Sequence, residues 1–559
     1  MAWFKQAGVW LVALFLMVLG AQLWVVWLYG SPLPIWDQWY QAKEIFKPWL
    51  EGNLQWHDLF APDSDHRIVV THLFDIALIR LNGQWDPLLQ MTVNAVIHAA
   101  FACGLAYTLW RFFDRQNAAW ICFLLLPFFT LPYAGENAIW GINSLWYFVN
   151  ILALITVVGL GFTRPASRWW WAGLVSATVG LFVMATGLLA PAAVAGLIIL
   201  RTLKSRRWEP KNGITFGVSL VLTAVGAALS VTAERNHELQ AHTLGQFLSA
   251  LLRNLMWPFI QLPGMAIVLL LPLGILLFLY FRANFSACRR AELLLTLALW
   301  SLSQSGVIAF GRANYGDVVP ASRYMDVFNI CVIASLFAVV LLGALWEQHR
   351  HPAWLGKLMP LAFAAIVFVG LCRISGIVVD DLLQPTRLMN LIGEERVQTF
   401  LRTGDDQDLL QPPTVRPDPR LTLEILRDPK LQTILPPICH APRSPVVTGR
   451  FTNVVQSLLK HSVAILAAGL VLFAVLCGCG MKRGAFGMTG KNPLELVAFA
   501  GVLAALVFVW SERAATRVSV ERNLQQQLSA NFQSVNNPAR AEVHRHLADA
   551  VNAANQFAN

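Results

Sequence analysis

Four short clusters of the chain hold residue types that could do chemistry together. They are Trp36-Asp37-Gln38-Trp39, Asp65-His66-Arg67, Glu136-Asn137 with Trp140 close behind, and Arg312 followed by Ser322-Arg323-Tyr324. Asp37, Asp65 and Glu136 are carboxylates that could take a proton from a hydroxyl. Arg67, Arg312 and Arg323 could each hold a phosphate through the planar guanidinium fork. Asp37 has the most unusual setting, between two tryptophans just after an apolar run. Trp collects at the membrane–water boundary because its ring is apolar and its edge polar. Asp37 is therefore expected at headgroup depth, with Trp36 and Trp39 walling a pocket from water. The plainer reading is an aromatic belt in which Asp37 caps the next helix.

The elements that must position these clusters are membrane helices. Of the 559 residues 56% are hydrophobic and 13% charged, and the mean hydropathy is +0.54. A soluble chain of this size is not so apolar. Repeated apolar runs of about 20 residues predict an all-α polytopic membrane protein with about 13 transmembrane helices. The first apolar run, 8–28, is too long for a signal peptide and reads as a retained anchor. The loop 31–85 follows it. In this loop the helical pattern 66–81 carries Arg67, His72, Asp75 and Arg80, so it is expected to lie at the interface. A second interfacial stretch is expected to end near Trp257. The predicted organisation is a transmembrane bundle over 1–375, a small α-rich extramembrane segment over 376–460, two further spans within 461–511 and a polar helical tail over 512–559.

The net charge of +10 sits mainly in short loops. With the N-terminus inside and the spans alternating, Arg111, Arg164, Arg168, the 201–207 run, Arg282, Arg289 and Arg290 all fall on the inner side. This obeys the positive-inside rule, so the basic charge reads as topology, and no nucleic-acid motif accompanies it. The eight cysteines lie almost all in apolar runs and imply neither a disulfide framework nor a zinc site. All four chemical clusters then share the outer side. No Walker-type glycine loop or dinucleotide fingerprint is present. An activated donor on the outer face of a bacterial inner membrane is usually lipid-borne. A polyprenyl-phosphate-linked sugar needs a base for the acceptor hydroxyl and cations for the leaving phosphate. Asp37 suits the first role and Arg67, Arg312 and Arg323 the second. Asp65 is the next candidate for the base.

At this point the chain resembles a family. The Trp36–Trp39 stretch after the first span, Asp65-His66-Arg67-Ile68, Glu136-Asn-Ala-Ile-Trp140-Gly141-Ile-Asn143, and Gly311-Arg312 with Ser322-Arg323-Tyr324 are similar to bacterial integral-membrane glycosyltransferases of the GT-C type. The resemblance covers roughly residues 1–460. It implies a catalytic acid in the first outer loop, a polyprenyl-phosphate sugar donor, and a glycan or lipid acceptor in the periplasm. On this basis Asp37 and Asp65 are the catalytic candidates. His66, Arg67, Glu136, Arg312, Arg323 and Tyr324 are the donor-binding ones, and Trp36, Trp39 and Trp140 the pocket aromatics. Relatives often have Asn-Glu-His-Arg where this chain has Ser64-Asp65-His66-Arg67, which shortens that carboxylate, and Gln where it has Asn143.

Each residue also has a plainer role. His66 and Arg67 could anchor an interfacial helix, Glu136 could cap the following span, and Arg312 and Arg323 could pair with Asp317 and Asp326. Asp37 and Asp65 could hold a divalent ion, but no ligand spacing demonstrates one, so cofactors are left unassigned. Membrane lipids are expected partners. The competing functions are a transporter or flippase for a lipid-linked glycan and a non-catalytic assembly subunit. The spans are nearly free of midplane charge and show no internal repeat, which disfavours a transporter.

Overall fold

The structure is a computed structural model describing residues 7–63, 65–113, 118–231, 234–283, 285–314, 319–348, 353–410, 418–441 and 448–481. It is all-helical among these residues. Among the described residues nine helices are long and apolar enough to cross a membrane, and a tenth span results if the bent pair Thr452–Lys460 and Ser462–Cys477 counts as one. The expected number of about 13 is not confirmed by the described residues. Two predicted spans are the helices Arg168–Gly180 and Gly264–Tyr280, with 13 and 17 residues. At 1.5 Å per residue these rise only about 20 and 25 Å, short of a bilayer core of about 30 Å. The predicted span near 494–510 and the tail 512–559 lie outside the described residues.

The bundle has two chemically different ends. At one end the arginines are locked into the helix termini. Arg201 bridges to Glu292 at 2.8 Å and donates to the Gly161 carbonyl at 2.7 Å. Arg290 donates to the Phe112 carbonyl at 3.2 Å, and Lys204 to that of Tyr280. At the other end lie the Tyr29, Ile139 and Gly311 termini and the Pro87, Gly141 and Ser322 starts. The four chemical clusters sit there. Both short helices run between these ends. The helix Arg168–Gly180 leads to Phe182, whose carbonyl accepts from Val70 N at 3.3 Å. Tyr280 closes the other short helix at the basic end, its hydroxyl donating to Glu292 at 2.9 Å.

The loop 31–85 and the segment 376–460 form one folded cap. They share a hydrophobic core that includes Leu33, Trp39, Phe46, Trp85, Val397, Ile425, Leu435 and Cys439. Trp85 N donates to Ile434 O at 2.7 Å, and Phe451 N to Asn82 Oδ1 at 2.9 Å. Lys43–Glu424 and Lys47–Asp428 pair at 2.8 and 2.6 Å on its surface. The cap also grows directly out of the bundle. The helix Ala353–Val378 passes through a π-helical turn at Val379–Leu383 into Gln384–Thr403, and Ser31 Oγ donates to Glu394 at 2.7 Å. The last described helix lies antiparallel on the first. Gly469 meets the Met17 backbone, Gly20 meets Leu466, and Trp10 packs edge-on against Phe473 at 5.2 Å.

Trp85 is fully buried in the cap, and its Nε1 donates to Gln90 of the second span at 3.2 Å. Trp85→Ala is expected to destabilise the cap by about 3–5 kcal/mol. Limited proteolysis in detergent should then cut within 384–460 well before the bundle.

Candidate functional site

Asp37 opens a short helix, Asp37–Gln41, and its side chain is exposed. The residue before it carries a backbone outlier. Trp36 has φ 52° and ψ −124°, left-handed backbone that an L-residue adopts only at a cost of about 1–3 kcal/mol. This conformation lays the Trp36 ring against Trp140, with centroids 5.9 Å apart. The two aromatics flank the turn carrying the carboxylate. Trp39 does not join them. It is fully buried, edge-on to Trp85 at 6.3 Å, and serves the cap core.

Behind Asp37 lies a buried polar network. Gln38 Oε1 accepts from Ile35 N at 3.1 Å, and its Nε2 donates to Gln90 Oε1 at 2.9 Å. Gln90 Nε2 donates to Asp75 Oδ1 at 2.6 Å, and Gln41 Nε2 donates to Asp75 Oδ2 at 2.8 Å. One carboxylate thus holds both glutamines of the Asp37 helix, Gln41 directly and Gln38 through Gln90. Gly141 permits this approach, because a Cβ there would stand 2.6 Å from Gln90 Oε1 and 2.8 Å from Gln38 Nε2. Burial pushes the Asp75 carboxyl up to about 7, partly opposed by its bonds from Gln41 and Gln90. Burial likewise pushes His72, whose Nδ1 lies 3.1 Å from Gln41 Nε2, down to about 4.

The cationic half of the site comes from three other segments. Asp65 Oδ2 pairs with Arg312 Nη2 at 2.9 Å. His66 sits beside them in a two-residue bridge, Asp63 N to His66 O at 2.8 Å and His66 N to Asp63 O at 3.0 Å. Burial is the largest influence lowering His66 to about 4. Asp65 partly opposes it, while the Arg312 and Arg323 charges lower it further. His66 is therefore neutral at pH 7, and its shielded Nδ1 has no hydrogen-bond partner among the described residues. Glu136 is nearly fully buried and gathers the turn Ser322–Tyr324. Ser322 Oγ donates to it at 3.0 Å, Arg323 N at 2.8 Å, and Arg323 Nη1 pairs with its other oxygen at 2.8 Å. The Arg323 guanidinium also lies over the Tyr324 ring, 5.1 Å from its centroid, and Tyr324 is edge-on to Trp146 at 5.4 Å. One helical turn, Gly135–Ile139, ending at Trp140, connects Glu136 to the aromatic pair beside Asp37.

The structure thus gathers at one end of the bundle Trp36, Asp37, Asp65, His66, Glu136, Trp140, Arg312, Arg323 and Tyr324. It gives some of them partners other than those expected from sequence. Arg312 pairs with Asp65, and Arg323 with Glu136; Asp317 lies outside the described residues, and Asp326 accepts from Asn137 Nδ2 at 2.8 Å. Glu136 braces the Ser322 turn rather than capping the following span. Arg67 binds backbone, donating to the Leu229 carbonyl at 3.3 Å and to that of Phe60. Among the described residues no group of three His, Cys, Asp or Glu side chains is placed to hold a metal ion. Sequence reasoning missed the Gln38–Gln90–Asp75–Gln41 network. The signals were a glutamine inside an apolar span and an acid on the buried face of the helix Val69–Asn82. No family model, curated protein or solved structure matches the chain.

The Asp75 shift has a signed consequence. Its folded-state pKa of about 7 stands above the ordinary 3.8, so the folded protein binds this proton more tightly. That contribution to stability is fully present below the ordinary value and is lost as pH rises through about 7. Asp75→Asn keeps a neutral amide in place of the acid. Its thermal unfolding temperature in detergent should vary less between about pH 4 and 8 than that of the unsubstituted protein.

Proposed function

We propose that this multi-pass membrane protein is a glycosyltransferase that moves a sugar from a polyprenyl-phosphate carrier to a hydroxyl of a glycan or lipid acceptor, on the periplasmic face of a bacterial inner membrane. The observation carrying this reading is the pairing of two unlike half-sites at one end of the bundle. Asp37 stands exposed next to the packed Trp36–Trp140 pair, while Arg312 and Arg323 lie near the neutral His66. In the reaction the acceptor oxygen forms a bond to the anomeric carbon. The bond from that carbon to the phosphate oxygen breaks, and its electron pair leaves with the phosphate. The hydroxyl proton passes to the Asp37 carboxylate. Arg312 and Arg323 take up the charge growing on the phosphate. Asp65 and Glu136 act as positioning residues, each fixing one guanidinium. Trp36 and Trp140 supply the apolar faces against which a sugar ring packs.

The arginine-locked end of the bundle would face the cytoplasm under the positive-inside rule. Thiol substitutions of exposed residues check this: Glu424→Cys on the cap should react with an impermeant reagent in intact spheroplasts, and Ser205→Cys should not. The opposite pattern would put the site in the cytoplasm and remove the argument for a lipid-borne donor.

Asp37→Asn removes basicity but little volume, and a positioned base contributes about 10²–10⁴-fold. Transfer in reconstituted vesicles, assayed with a polyprenyl-phosphate sugar and an acceptor glycan, should therefore fall by at least about 100-fold while the protein stays folded. Arg312→Ala should lower donor-dependent turnover by about 30- to 1000-fold, and lysine should restore little of it. Arg323→Ala is a poorer probe because it also strips a partner from the buried Glu136. Undiminished transfer by Asp37→Asn would exclude it as the base.

A further inference from the structure

The loop between the span Asn212–Leu229 and the helix Gly264–Tyr280 holds a twelve-residue helix, Leu244–Leu255, started by a capping box between Thr243 and Gln246. This helix has three sides. Ala250 and Asn254 are buried, and Asn254 Nδ2 donates to Ser305 O at 3.0 Å, fixing that side to the bundle. Gln246, Ser249 and Arg253 make a polar side. Leu244, Leu248 and Leu252, one turn apart, make an apolar side, and they are 72%, 51% and 39% exposed. Exposed leucines at this spacing form a continuous stripe.

The helices that follow also expose apolar residues outward. Val307 and Phe310 of the neighbouring span are 45% and 51% exposed, and Ile267 of the helix Gly264–Tyr280 is 70% exposed. In a membrane bundle such a surface is covered by acyl chains. A helix with one apolar and one polar side, attached at the rim of that surface, lies in the interface with the apolar side down.

The same loop leads to the phosphate half of the site. Ala241 N donates to Phe310 O at 2.8 Å, Asn314 N to Leu239 O at 3.1 Å, and Asn314 Nδ2 to Gln240 O at 2.7 Å. Arg312 lies between Phe310 and Asn314 and is thereby tied to the start of this helix.

We propose that Leu244–Leu255 is embedded in the outer rim of one leaflet with Leu244, Leu248 and Leu252 among the acyl chains. It holds Arg312 at headgroup depth and marks the side from which a lipid-borne phosphate reaches the site. The bilayer contact stands independently of the glycosyltransferase reading; the route for a lipid phosphate rests on it.

The test uses nitroxide labels at Leu248→Cys and, separately, Ser249→Cys in the full chain reconstituted in phosphatidylcholine–phosphatidylglycerol vesicles. Unsubstituted protein is the labelling blank. Label mobility and size-exclusion profile establish that each variant is folded. The label at Leu248 should be more accessible to oxygen than to a water-soluble nickel chelate, and the label at Ser249 should show the reverse. If Leu248 is accessible to the chelate, the stripe faces water and the proposal fails. If Leu248 is shielded from both reagents, a protein surface covers it and the proposal also fails. A lipid-exposed Leu248 combined with undiminished transfer by Arg312→Ala would leave the embedded helix standing and remove the phosphate role.

Discussion

The rim of the bundle depends on one buried carboxylate. Glu136 lies where a span breaks into a single helical turn, and burying a carboxylate costs several kcal/mol unless donors surround it. Ser322 Oγ, Arg323 N and Arg323 Nη1 meet that requirement. These donors all come from the start of another span, so satisfying the charge joins two spans that are distant in the chain. Asn137, the next residue, repeats the arrangement by donating to Arg323 O at 3.1 Å and to Asp326 at 2.8 Å. Trp140, at the end of the same turn, meets Trp36. The Asp37 side and the Arg323 side of the site are therefore registered against each other through five residues of helix. A shift of that turn would displace both together.

The cap repeats the principle with apolar contacts. Its first half is too short to bury Trp39, Phe46 and Trp85 by itself, and its second half brings Val397, Ile425 and Leu435 to cover them. Two consequences reach the site. The helix Asp37–Gln41 is held from above by this core through Trp39 and from below by Asp75 through Gln41 and Gln38. Asp37, exposed between these anchors, sits on a rigid support although it lies in a loop. The strained backbone at Trp36 is sustained by the same over-determination.

What was legible in the sequence follows from how local each signal is. Apolar length and the arginine pattern are local, so the membrane bundle and its basic end could be read directly. The run 169–185 looks longer than its regular helix because Leu181–Met184 leaves helix before the Ala185–Leu188 turn, whereas the run 265–281 matches its 17-residue helix Gly264–Tyr280 in length and is simply too short to cross a full bilayer core. The chemical residues were also legible as a set, since charged and aromatic residues at span ends stand out against apolar surroundings. Their pairings were not. Lys43 and Glu424, 381 positions apart, show how far the cap contacts reach in sequence, and no periodicity reports such a distance. For the same reason Trp39 read as a pocket wall although it belongs to the cap core, and Arg312 was matched to a loop neighbour although Asp65 holds it.

The buried amide network shows why the less conspicuous residues matter. Gln38 and Gln41 lie beside Asp37 in sequence, and both are buried. An amide can donate and accept at once, so it can link a buried acid to a helix without adding charge. Asp75 accepts from Gln41 and Gln90, and Gln90 in turn accepts from Gln38 and Trp85. The chain of bonds runs from an interfacial helix through a membrane span to the cap core and back to the residue beside Asp37. A second carboxylate in place of these amides would have placed like charges in an apolar site, where repulsion and desolvation both disfavour them. Neutral linkers let the fold keep one acid buried as an anchor and present another, Asp37, to solvent. That division of labour between two aspartates follows from their surroundings, and their side-chain chemistry is the same.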